Sequence, residues 1–172
     1  MIVIKIFLVA VLCVLANMFI LPNIKIKAYP DNWIAKHILF KGYYTIMLFG
    51  FVLSKNKKIN ETITRHETIH AYQLVELALL FFFTHLVRLV FGDISFSVFL
   101  VSIPLSLCSF YIIYFLYWAV LLVVYLFKYK WSFKTASKRA YKNILFEKEA
   151  YSEQESIGYL QERDIFDVIR YI

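Results

Sequence analysis

"TRHETIHAYQLVELALLFFFTHLVRLVFG", Thr64 to Gly92, decides how this chain folds. It opens polar and turns largely apolar after Gln73, with no Pro or Gly before Gly92. That pattern predicts one helix, capped near Asn60 or Thr62, which leaves water after Gln73 and crosses a bilayer from Leu74 to Gly92. The polar opening holds His66-Glu67-Thr68-Ile69-His70, an H-E-x-x-H. Residues four apart share a helix face, so His66 and His70 can aim a ring nitrogen each at one ion. Glu67 is offset by one residue. It stands beside such an ion rather than on it, where a carboxylate can take a proton from an attacking water.

Working outward, composition supports a membrane protein. Hydrophobic residues make up 61% and charged residues 18%, whereas a soluble domain is nearer half and a quarter. The formal net charge of +7 falls in blocks between apolar runs. This is the pattern of a chain threaded through a bilayer and argues against a nucleic-acid partner. Cys13 and Cys108 sit in apolar stretches without metal-ligand or disulfide spacing and read as buried thiols.

Two more apolar runs accompany the motif helix. "IFLVAVLCVLANMFILP", Ile6 to Pro22, is about long enough to cross once. Only Lys5 precedes it and no small-x-small site ends it, so a retained anchor is expected rather than a cleaved signal. The run Phe96 to Phe127 is long for one span and short for two; as a helix it covers about 48 Å. Pro104 either kinks it or ends a half-embedded first piece.

Charge decides the count. Lys25, Lys27, Lys36, Lys41, Lys55, Lys57, Lys58 and Arg65 lie between the first two runs, and Lys128, Lys130, Lys134, Lys138, Arg139 and Lys142 follow the third. The intervening "GDIS" has no Lys or Arg. Three spans place both basic segments in the cytoplasm, and four do not. The expected fold is a mainly α, integral-membrane single domain over 1–172, multi-pass in the cell (inner) membrane. Its spans are 6–22, 74–92 and 96–127, and its cytoplasmic segments are 23–73 and 128–172. "YYTIMLFGFVLS", Tyr43 to Ser54, is too short to span. Its β-branched and aromatic content predicts a small strand or hairpin before the motif helix, with a re-entrant segment as the alternative.

A catalytic metal site needs a third protein ligand. His37 has no motif around it, and His85 lies too far along the motif helix itself. "YKNILFEKEAYSEQE", Tyr141 to Glu155, offers Glu147 and Glu149 in a helical stretch that returns to the side of His66 and His70. The alternative is a solvated charged helix face.

"RHETIHAYQ" followed by "FEKEAY" resembles the gluzincin clan of zinc peptidases, over about Gly42 to Arg163. The resemblance implies a Zn²⁺ ion whose third ligand is a glutamate on a second helix, in patterns such as E-x-x-A-D. Aligned on Ala150, that ligand is Glu147. Tyr151 stands where the clan has an aspartate that orients a histidine, and a phenol carries no charge for that task. The clan also uses a Tyr or His to stabilise the oxyanion, which makes Tyr151, four residues from Glu147, a catalytic candidate. The strand before the motif would be the edge on which an extended substrate pairs. The layout is similar to the integral-membrane gluzincins that process lipidated or misfolded membrane proteins, at much smaller size.

The expectation is therefore a membrane-bound zinc metallopeptidase. Zn²⁺ sits on His66, His70 and Glu147 at the cytoplasmic face, Glu67 is the general base, and the substrate is a membrane-associated protein or peptide. The alternative is a non-catalytic membrane interaction protein with a structural or absent zinc, in which Glu67 has no task. Gln73 is expected to bond a ligand or mark the membrane boundary. Glu76 is expected to have an internal partner or polar cavity. The tail after Glu155 should be helical with a break near Gly158, against the motif helix or the membrane surface.

Overall fold

The computed structural model describes residues 1–39 and 42–172; Phe40 and Lys41, the latter counted above among the basic residues, lie outside the described residues. Helix α1 (Ile2–Ile20) runs into a 3-10 turn, followed by β1 (Lys27–Tyr29), α2 (Trp33–Ile38), β2 (Thr45–Leu48) and β3 (Phe51–Ser54). Then come α3 (Glu61–Val90), α4 (Phe96–Lys128), α5 (Phe133–Lys142), α6 (Leu145–Glu153), α7 (Tyr159–Glu162) and a final 3-10 turn, Asp167–Tyr171. Among the described residues, three segments are long and apolar enough to cross a membrane: Ile2–Asn23, Glu61–Val90 and Phe96–Lys128.

Helix α3 is the continuous rod that the sequence predicts. Asn60 caps it, its Oδ1 accepting the Ile63 N–H at 2.8 Å. The chain turns at Gly92, whose φ of +74° suits a residue without Cβ. Lys5 pairs with Asp93 just beyond that turn, which sets α1 antiparallel to α3. Helix α4 returns along α3. Pro104 does not end α4, so the third apolar run is one helix rather than two. Large side chains such as Phe115, Val120 and Phe127 point outward from it.

The predicted hairpin forms from β2 and β3, with Leu48 opposite Phe51 across a two-residue turn. Both turn residues, Phe49 and Gly50, have positive φ, the mirror-image turn that matches strand twist. Such a backbone costs a phenylalanine about 1–3 kcal/mol. The Tyr111 hydroxyl on α4 offsets this by accepting the Phe49 N–H at 2.7 Å. β1 adds a parallel third strand on the far side of β3, which leaves β2 as an edge.

The core gathers at the motif end of the long helices. Met47 and Val52 from the hairpin meet Ala71 and Leu74 of α3, Phe110 of α4 and Ile144 and Phe146 around the start of α6. Each fully buried large side chain contributes about 1.5–3 kcal/mol, so this cluster fixes where α6 sits against α3. The helix breaks after Glu153 and resumes as α7 at Tyr159, with Gly158 as its N-cap; the tail then packs back on α3, where the Phe166 N–H donates to Glu76 at 2.8 Å.

Candidate metal centre

One helical turn separates His66 from His70, and both side chains point into the core. Their Nε2 atoms stand 3.2 Å apart. Helix α6 brings Glu147 to the same point because Ile144, at its N-terminus, is wholly buried in the core. The Glu147 carboxylate straddles the pair, with Oε1 3.2 Å from His70 Nε2 and Oε2 3.5 Å from His66 Nε2. The three residues are buried and can hold a metal ion.

The spacing fits that use. Ligands about 2.0–2.1 Å from a tetrahedral ion stand about 3.3–3.4 Å from one another. The His66–His70 separation of 3.2 Å lies close to this value, and the two nitrogens face different Glu147 oxygens, Oε2 at 3.5 Å and Oε1 at 3.2 Å. One further atom carries the same sense: Glu147 Oε2 is buried with no hydrogen-bond partner among the described residues. Lone pairs converging out of water repel one another unless a positive charge lies between them, either a proton or a cation.

Glu147 is built to stay ionised. Burial raises its carboxyl pKa, but the His70 and His66 imidazoles beside it outweigh burial and hold it well below the usual carboxylate range. The Tyr114 hydroxyl of α4 donates to its Oε1 at 2.7 Å. Tyr141, at the end of α5, lies close enough to the same carboxylate to feel its charge. Burial, then the Glu147 charge, push the Tyr141 phenol up, so it remains a donor.

Glu67 is buried on α3 next to this group, close to the backbone of Met47. Met47 lies on β2, an edge strand of the sheet that packs against α3. Tyr151 stacks its ring edge-on against His66 at 4.8 Å, and it is 41% exposed. Its ring also meets that of Tyr141 edge-on at 6.5 Å. It does not orient His66, whose Nδ1 is unpartnered.

The structure brings Glu147, not Glu149, to the histidines. Glu149 turns to the opposite side of α6, where Arg163 donates to its Oε1 at 2.6 Å. Arg163 also pairs with Glu76, which thereby has the internal partner expected of it. Gln73 accepts from His70 rather than marking a boundary. Tyr114 and Arg163 were not legible in advance. Tyr114 is one of several tyrosines in a uniformly apolar run, and Arg163 lies in a tail with no motif. Compared with protein-family models, with curated proteins and with solved structures, the chain matches none of them.

Proposed function

We propose that this chain is a membrane-bound, gluzincin-type zinc metallopeptidase. One observation carries this: three buried side chains from two helices, His66, His70 and Glu147, can hold an ion between them, with a second buried carboxylate, Glu67, beside them. His66, His70 and Glu147 would hold Zn²⁺. Zinc bound there supplies an acidified water and polarises a substrate carbonyl. Glu67 takes the proton of the attacking water and passes it to the leaving amine. The free edge of β2 supports an extended peptide pairing there by backbone hydrogen bonds. Tyr151, half-exposed beside His66, is placed to donate to the carbonyl oxygen as it gains charge.

In this proposal the three long apolar helices span the cell (inner) membrane. The excess of Lys and Arg in 23–73 and 128–172 sets the metal centre on the cytoplasmic side. The ligand-bearing helix is itself a span, so substrates are proteins or peptides already at the bilayer.

The test is metal content and peptide hydrolysis of the purified protein. Stoichiometric zinc is expected in wild type and in Glu67→Gln, with hydrolysis lost only in the latter. A wild type without zinc overturns the metal site. Zinc with identical behaviour of wild type and Glu67→Gln on every peptide overturns catalysis and leaves a structural zinc in a membrane interaction protein.

A further inference from the structure

We infer that Gln73, Glu149 and Arg163 form a positioning relay that fixes which ring nitrogen His70 presents to the metal centre. The inference rests on the metal site proposed above and adds to it three residues that touch neither metal nor substrate. It is carried by one amide whose orientation has no freedom. Gln73 is 1% exposed. Its Nε2 donates to the Phe146 carbonyl at 3.1 Å and to Glu149 Oε2 at 3.0 Å. Both partners can only accept. Flipping the amide would set its oxygen against two other oxygens, so Oε1 faces the other way, 2.8 Å from His70 Nδ1. An amide oxygen only accepts, so Nδ1 carries the hydrogen. The lone pair of His70 is then on Nε2, aimed at His66 and Glu147.

Glu149 sets the amide, and Arg163 sets Glu149. The Arg163 guanidinium donates through Nε to Glu149 Oε1 at 2.6 Å and through Nη2 to Oε2 at 3.3 Å. Its Nη1 and Nη2 also hold both oxygens of Glu76. Tyr159 adds a donor to Glu149 Oε1 at 3.0 Å. Glu76 lies three residues after Gln73 on α3, so the clamp closes on the helix from which the relay starts. A residue of the C-terminal tail thus holds a metal ligand through two intermediaries. His66 is the internal contrast, because its Nδ1 has no partner among the described residues.

The experiment compares wild type with Gln73→Met, which keeps side-chain volume and leaves the Arg163 clamp intact. Nitrogen-15 signals of the imidazoles, read without metal at alkaline pH, should show His70 as the Nδ1–H tautomer in wild type. In Gln73→Met that preference should be lost while His66 is unchanged. Zinc affinity, measured by titration, should fall about 10- to 100-fold. Arg163→Lys, which keeps one donor and the charge, should retain more affinity than Arg163→Met at matched folded fraction. A wild-type His70 with hydrogen on Nε2, or a Gln73→Met protein with unaltered tautomer and affinity, overturns the relay. A wild type that takes up no zinc overturns the metal site instead, and the tautomer comparison still decides the relay by itself.

Discussion

Glu147 and Glu149 stand two residues apart on α6, both buried, and they face two differently built regions. Around Glu149 a guanidinium with no exposed side-chain surface supplies a fixed countercharge. Around Glu147 there are imidazoles and phenols but no permanent cation. A buried carboxylate needs a positive partner. One region carries a permanent countercharge, while the other faces imidazoles that can take up a proton and could hold a metal ion. What distinguishes the two regions is therefore the kind of positive partner, since both carboxylates are buried.

The comparison breaks most visibly at the ligands. His66→Ala, His70→Ala and Glu147→Ala are each expected to abolish stoichiometric zinc and peptide hydrolysis, whereas Glu149→Gln retains zinc. Metal analysis and a peptide assay with and without chelator check this. Glu67→Gln should keep zinc and lose about 10²–10⁴-fold in turnover, read as kcat at saturating peptide. On the scaffold side, Arg163→Met leaves Glu76 and Glu149 buried without a countercharge. It should cost about 3–5 kcal/mol of stability, seen in denaturant unfolding. Tyr114→Phe removes one donor to the Glu147 carboxylate and should cost about 1.5–3 kcal/mol in the same measurement.

The smallest effect is with pH. Glu147 has its folded pKa lowered, so the folded protein binds that proton less tightly than the unfolded chain does. The stabilisation is complete above the unfolded value of about 4.3 and fades as pH falls through the lower folded one. In chelator, the stability difference between wild type and Glu147→Gln should narrow as pH drops below about 4.

Local features were legible in the sequence. The Asn60 cap, the unbroken run from the motif to Val90 and the hairpin before it all follow from residues close in the chain. So does the pairing of His66 with His70, which one helical turn dictates. Glu147 was reachable because a charge count placed its segment at the same end of the helices. β1 was not legible, since three exposed residues have no periodicity to read and depend on β3 for their hydrogen bonds. The same holds for Tyr114 and Arg163, whose roles depend on partners 33 and 87 positions away. Glu76 gave a partial signal: a lone carboxylate in an apolar run demands a cation, without saying which.

His66 and His70 come before α4, and Glu147 comes after α5. An ion gripped by all three would tie these distant stretches into a closed ring of chain containing both helices. By analogy with a covalent cross-link, such a ring restricts the unfolded chain by on the order of 4 kcal/mol. The metal would then act as a reversible staple as well as a reagent, and its loss would loosen the end of the bundle at which the sheet and tail assemble.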